Sequence, residues 1–436
     1  MELLEKLRGR VDSGEVVYIE KTSRSVSFKG WKIRGSESTQ ERGYAVRVIV
    51  DGKVGTAATT DENAVDEMLE NAIESAKFGE EIELEFPSKS EKYAEPKIFD
   101  EKIKDVDIPK LAEIGNELIS RIEQYRSECD NDVDVSTTQS HIKIANTSGF
   151  EGEYEKTAFS LSGSLVRVKD NDIYMAWDYY VSTHFPDSRD DAIDPIVKRL
   201  DDIMQYANAI VPAPSGQVPV VFSPFGASVL LLPISVGVNG SNIYTKTSPV
   251  FDKLGQKLFD EKLTIIDDGT IDGKVSSTPF DDEGIPKKAM PLIQNGVLKN
   301  FVFDLTTAKK SGYETNGCAS RSLFSPPAPD TSNIIIDGGK HSIDDILADI
   351  KEGIIVESVL GMGQGNILSG AFSNPVATGF KIENGKIVGR VKNVAIAGNV
   401  YENLKDIAAI SSERKWVYGT YYIPYIRIDN LSVVAK

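Results

Sequence analysis

Three Asx-Gly dipeptides constrain this chain more than any other local feature. Asp51-Gly52 divides VRVIV from KVGTA, Asn295-Gly296 divides PLI from VLKNFVFD, and Asn384-Gly385 divides TGFKIE from KIVGRV. A two-residue connection of this kind accepts left-handed backbone at both positions, which matches the twist of paired antiparallel strands. Hairpins are therefore predicted in both halves. Period-2 stretches at 16–20, 44–50, 141–145 and 159–168 predict further strands, and 421–434 alternates as a long one. Helical stripes interrupt them. Val65, Met68, Leu69, Ala72, Ile73 and Ala76 recur at helical spacing within 60–78, with Thr59 and Glu62 fitting a capping box. Leu111, Ile114, Leu118, Ile122 and Tyr125 do so within 109–125, where Pro109 suits the first helical position. Residues 190–209 form a third helix and 342–351 a short one. Hairpins with segregated helices predict an α+β fold of two domains: an N-terminal α+β domain and a C-terminal, mainly antiparallel β domain with a few helices.

The boundary is placed at Val211-Pro212-Ala213-Pro214-Ser215-Gly216, the clearest Pro/Gly punctuation in the chain. Charge changes at the same point. Residues 1–213 hold 27 basic and 43 acidic residues, a net of −16; residues 214–436 hold 22 and 23, a net of −1. The predicted domains are thus an acidic 1–213 and a β-rich 214–436. A total of −17 over 436 residues argues against direct nucleic-acid binding, which needs clustered Lys and Arg to displace counterions. It argues equally against a basic membrane-surface helix. The most apolar run, SVLLLPISVGV from Ser228 to Val238, is too short to span a bilayer. The start, MELLEKLRGRVDSGEVV, has no apolar run of signal-peptide length. Cys129 and Cys318 make no disulfide framework. A cytoplasmic location is expected.

Catalytic signatures are scarce. His141, His184 and His341 are far apart, and no His-x-x-x-His or His-Glu-x-x-His occurs. They read as surface or capping residues. No Gly-x-Ser-x-Gly elbow is present. Asp330-Thr331-Ser332 lacks the second copy that an aspartic protease needs. Gly361-Met362-Gly363-Gln364-Gly365 lacks the Lys-Ser/Thr of a phosphate loop and reads as a turn that another backbone can approach. Cys318 has no evident base beside it, and Asp282 and Glu283 flank a glycine turn.

An ordered set of short motifs runs the length of the chain. It begins with ERGYAVRVIVDGKVGTA at 41–57 and continues with DEGIP at 282–286 and LIQNGVL at 292–298. TNGCASR at 315–321, GIIV at 353–356, IENGKI at 382–387 and IAGN at 396–399 follow. This order resembles the TldD/PmbA family, also called modulators of DNA gyrase. The family's TldD branch carries Leu-Leu-His-Glu-x-x-Gly-His in a helix, where the histidines hold zinc and the Glu is the expected general base. A Cys in Gly-Thr-Cys-Gly near the C-terminus is a further expected ligand. The PmbA branch, also named TldE, lacks these residues and forms a complex with TldD.

Here Leu231-Leu232-Pro233-Ile234-Ser235-Val236-Gly237-Val238 lies over that motif. Pro233 replaces the first His, Ile234 the Glu and Val238 the second His, while Gly237 is retained. Tyr421 stands where the Cys would be, in Gly419-Thr420-Tyr421-Tyr422. None of the three motif substitutes can ligate zinc or activate water. The chain is similar to the PmbA/TldE branch. The resemblance implies a subunit that binds no cofactor itself and has no catalytic residues. A TldD-type partner would carry zinc and base, and unfolded peptide would be the substrate. Gly361, Gly363, Gly365 and Arg321 are candidates to meet peptide or partner, and Pro233 is expected in a first helical turn or a kink. Two other readings remain open here: a peptidase site around Asp282, Glu283, Arg321 or Cys318, and a protein-binding modulator of gyrase. A homodimer is the expected assembly where the partner is absent.

Overall fold

Each of these three Asx-Gly dipeptides turns a hairpin in the computed structural model, which describes residues 2–435. Asp51 and Gly52 have φ of 49° and 73°, Asn295 and Gly296 48° and 76°, and Asn384 and Gly385 49° and 77°. A fourth hairpin turns at Gly30-Trp31, with φ of 57° and 69°. That one has no Asx to announce it. The Trp31 indole is anchored instead, its Nε1 donating to Cys129 O at 2.9 Å.

The N-terminal half builds a six-stranded antiparallel sheet. Its strands are β1 (Ser13–Lys29), β2 (Lys32–Val50), β3 (Lys53–Thr59), β4 (Cys129–Asn146), β5 (Glu151–Lys169) and β6 (Asp172–Ser182), in the order β3-β2-β1-β4-β5-β6. Four of them run 17–19 residues, far beyond the predicted 5–10. The added lengths are Ser, Thr and charged residues whose solvated face hides the alternation. In β5, for example, the added 151–158 exposes Glu151, Glu153 and Glu155 in alternation with half-buried Gly152, Tyr154 and Lys156. Two helices cover the inner face. The Ile108–Arg121 helix buries Leu111, Ile114 and Leu118, and the Arg189–Met204 helix buries Ile193, Ile196 and Leu200. The first lies so close that a Cβ on Gly115 would come within 2.2 Å of the Phe28 ring.

One predicted cap is corrected. Thr59 does not cap the first long helix. It closes β3 opposite Tyr44, and its hydroxyl accepts from Asp61 N at 3.1 Å. Asp61 is the cap, accepting from Asn63 N at 2.8 Å, and a short 3-10 turn leads into the Val65–Ala76 helix.

The C-terminal half builds an eleven-stranded sheet around Tyr421–Ala435. Most pairs are antiparallel. The exceptions are Gly216–Phe222 beside Glu352–Val359, and Ile334–Ile336 beside Tyr421–Ala435. Its first strand begins at Gly216, directly after the Pro-rich punctuation. The halves share apolar core. Val221, Ile355, Phe380 and Ile382 of the second half join Leu118, Leu161 and Ile196 of the first in one continuous cluster. Burial of this kind, at about 25 cal/mol per Å2 of apolar surface, couples the two sheets. No helix among the described residues is long and apolar enough to cross a membrane.

Candidate functional site

The Ser228–Val238 helix holds three of the four positions that the motif comparison singled out. It is apolar on every side, as a helix enclosed by its own domain must be. Pro233, Ile234 and Val238 are all buried. The entering turn is fixed by Ser223, whose Oγ accepts from Gly226 N at 3.2 Å, and by Ser228, whose Oγ donates to Phe225 O at 2.6 Å. The helix ends where Asn239 turns outward to cap the next one, accepting from Ser241 N at 3.0 Å.

Pro233 lies in the middle of this helix, not in its first turn. Its missing N–H removes one rung of the hydrogen-bond ladder. Its carbonyl is taken from outside, accepting from the Tyr401 hydroxyl at 2.9 Å. The retained Gly237 makes room for the same side chain: a Cβ there would stand 2.3 Å from the Tyr401 oxygen. Tyr401 therefore packs against the helix at Pro233 and Gly237.

Tyr421 opens the last strand, just after a turn at Tyr418-Gly419 with φ of 56° and 72°. Its half-buried ring meets Tyr418 edge-on at 6.4 Å, and burial raises its phenol above the ordinary range. Tyr418 in turn faces Phe225 at 6.2 Å, in the turn that feeds the Ser228–Val238 helix. Trp177 and Tyr179 of β6 complete this aromatic cluster. Aromatic contacts thus run from Tyr421 to Phe225, in the turn that feeds the helix.

The donor set there does not fit zinc. Pro233, Ile234 and Val238 offer no lone pair, and a phenol alone makes no tetrahedral site. Among the described residues no group of three or more His, Cys, Asp or Glu side chains converges to hold a metal ion.

The three loop glycines lie next to the helix. Gly361, Gly363 and Gly365 have φ of 67°, 87° and 91°, a backbone that L-residues rarely adopt. A Cβ on Gly363 would touch Leu232 of the helix at 3.8 Å, whereas one on Gly365 would meet open space. Leu360 and Met362 stand exposed in the same loop.

Arg321 is elsewhere. Its guanidinium is 3% exposed and pairs with Glu15 of β1. Glu15 also binds Arg47 of β2 at 2.9 Å, and Arg47 binds Glu283 at 2.8 Å. Two carboxylates and two guanidiniums from both halves of the chain therefore form one buried knot. Arg47 and Arg321 hold Glu15 below the ordinary carboxylate range against the opposing effect of burial, while burial pushes Glu283 up. Sequence inspection missed Glu15 and Arg47 altogether, because a charge inside an alternating strand reads as a solvated face. Asp282 is nearby, accepting from Arg321 N at 2.8 Å. Cys318 is 2% exposed, and burial pushes its thiol up, with Asp267 adding to the effect. Groups this enclosed tie the two halves of the chain together through charge pairs; a nucleophile needs an open approach.

The histidines do not converge either. His141 lies on β4 with Nε2 3.3 Å from Glu153, His184 contacts Thr183 Oγ1, and His341 bridges to Ser411.

Comparison with known proteins agrees with this geometry. Three family models match in order: PmbA/TldA metallopeptidase domain 1 over 14–76, the central domain over 101–203, and the C-terminal domain over 215–435. An uncharacterized protein of Methanocaldococcus jannaschii, MJ0231, is 29% identical over 401 residues, 90% of each chain. The metalloprotease PmbA homolog of Haemophilus influenzae is 25% identical over 415 residues, 92% of this chain and 88% of that one. The crystal structure of TldE from Thermococcus kodakarensis superposes with a TM-score of 0.90 at 25% identity, covering 100% of this chain and 99% of that one. With models matching from residue 14 to residue 435 and the same fold throughout, the chain belongs to the PmbA/TldD metallopeptidase family.

Proposed function

We propose that this chain is the zinc-free subunit of a TldD/TldE-type cytoplasmic metallopeptidase. A TldD-type partner supplies the zinc ion and the general base, and this chain supplies one wall of a chamber that admits unfolded peptides. One observation carries the reading. The helix that would present the metal ligands is apolar on every side, and Tyr401 closes it at Pro233 and Gly237. Such a helix keeps its shape without a metal and would pay a desolvation cost to hold a cation. The exposed Leu360-to-Gly365 loop beside it offers apolar side chains and unencumbered backbone. Both suit an extended chain bound through its main chain.

The test is co-expression of the tagged chain with a TldD-type subunit from the same genome, followed by digestion of unfolded casein. The expected result is a stable complex with chelator-sensitive activity, and no activity from this chain alone. Stoichiometric zinc in the isolated chain would overturn the proposal. So would failure to co-purify combined with no peptidase activity in the mixture. A homodimer is the expected state of the chain without its partner.

A further inference from the structure

Behind the sealed helix lies a cleft of about 560 Å3, within the size range of small-ligand and peptide-side-chain sites. Lys253, Lys257, Lys405 and Ser369 line it. The rings of Phe259 and Tyr401, stacked at 6.4 Å and 27°, also line it. The charge is not cancelled. Glu402 in the wall is occupied by Lys405 at 2.8 Å, and the exposed Lys257 is 3.6 Å from Glu261. Lys253 is half-buried and has no anionic partner among the described residues. The cleft lies in the half of the chain whose net charge is −1, away from the acidic first half in sequence. A lysine ammonium without an anionic partner is open to a carboxylate through charge-assisted hydrogen bonds.

We infer that this cleft binds the carboxylates of acidic, extended peptide segments. The inference rests on the peptide-handling reading above and names the substrate class. Tyr401 links the two places, since it lines the cleft and also donates to Pro233 O. A peptide passing the sealed helix would therefore find its anionic group held on the far side of the same tyrosine. The stacked rings give its neighbouring side chain an apolar surface. Nucleic acid would meet repulsion from the rest of the molecule at long range.

The experiment is fluorescence anisotropy on the purified full chain, without the zinc subunit. Three labelled dodecapeptides are compared: one rich in Glu with an amidated C-terminus, its Gln counterpart with a free C-terminus, and a Gln counterpart with an amidated C-terminus; the Glu-rich peptide is also competed with a short oligonucleotide. The Glu-rich peptide, the free carboxylate peptide, or both should bind, and the uncharged one at least tenfold more weakly. K253E/K405E should weaken binding about tenfold or more, the milder K253Q/K405Q should weaken it less, and K340E, an exposed lysine outside the cleft, should leave it unchanged. Equal loss in K340E would show general electrostatics and overturn the proposal. Equal binding of charged and uncharged peptides, no binding at all, or displacement by the oligonucleotide at equal affinity would overturn it too. Because no partner is used, these outcomes are separate from the co-purification test. A chain that binds acidic peptide yet captures no zinc subunit keeps this inference and loses the subunit reading.

Discussion

Replacing Arg47 by methionine would remove the guanidinium that two buried acid side chains share at the junction of the two halves. Arg47 is 3% exposed and is held between Glu15 at 2.9 Å and Glu283 at 2.8 Å, both fully buried. Methionine keeps most of the apolar volume against Phe86, over which the guanidinium sits at 5.0 Å. It removes the charge. Glu15 retains Arg321, but Glu283 keeps only its backbone bond from Leu305 N at 2.7 Å. Breaking a buried pair from one side costs about 3–5 kcal/mol. Over the 436-residue chain, whose halves share one core, that is a drop in unfolding midpoint of about 4 °C.

The pH dependence identifies the cause. Burial raises Glu283 from the ordinary 4.5 to about 8 in the folded chain. A carboxyl raised on folding contributes stability that is fully present below its unfolded pKa and is lost as pH rises through the folded one. The native protein should therefore lose stability between about pH 5 and 8 at up to about 1.4 kcal/mol per unit. Without Arg47 the folded pKa rises further, so the deficit of R47M should be level up to about pH 8 and widen above it. E283Q removes this group and should flatten the window above about pH 6 in the wild-type background; below it Asp267 and Asp281, each raised by burial to about 6, keep a slope. R47M/E283Q should recover part of the loss. Differential scanning calorimetry from pH 5 to 9 reads all four proteins. A midpoint for R47M within about 2 °C of wild type, a deficit that does not change with pH, or no recovery in the double variant would refute the reasoning.

Other expectations are simpler. Ile234→Glu places a carboxylate at a position 3% exposed in the sealed helix, and should cost about 3 kcal/mol or more, against about 1 kcal/mol for Ile234→Val; chemical denaturation distinguishes them. Gly226→Ala should lower the melting midpoint sharply, because its Cβ would stand 2.0 Å from Val356 O, a backbone atom that cannot swing away. Cys129 and Cys318 are both buried with thiols pushed up, so the native chain should react with less than one equivalent of Ellman's reagent in minutes at pH 8, and with two after unfolding.

Much of the fold was legible because its signals are local. Asp51-Gly52, Asn295-Gly296 and Asn384-Gly385 each specify a backbone conformation that few other dipeptides accept, and each turns as expected. The 108–121 helix follows from one apolar stripe and a proline placed where no N–H is needed. Strand lengths were not legible. The outer parts of β1, β2, β4 and β5 are polar on the solvent side, and pairing with a neighbour, not a pattern of their own, extends them. The Gly30-Trp31 turn was silent for a similar reason, since a contact to a residue a hundred positions away holds it.

The same division applies to the site. Sequence alone determined that Pro233, Ile234 and Val238 carry no metal-binding atom, because ligation depends on which atoms a side chain possesses. It also determined that the negative charge belongs to the first half. Only the tertiary structure decided what those residues do instead: Tyr401, more than 160 positions away, caps Pro233 and fills the space above Gly237. Only it showed that Arg321 closes a knot with Glu15 across the chain, leaving the loop glycines alone beside the helix. A side chain's chemistry is fixed by its identity. Whether its charge is solvated, paired or sealed depends on what distant segments bring against it, and no local pattern encodes that.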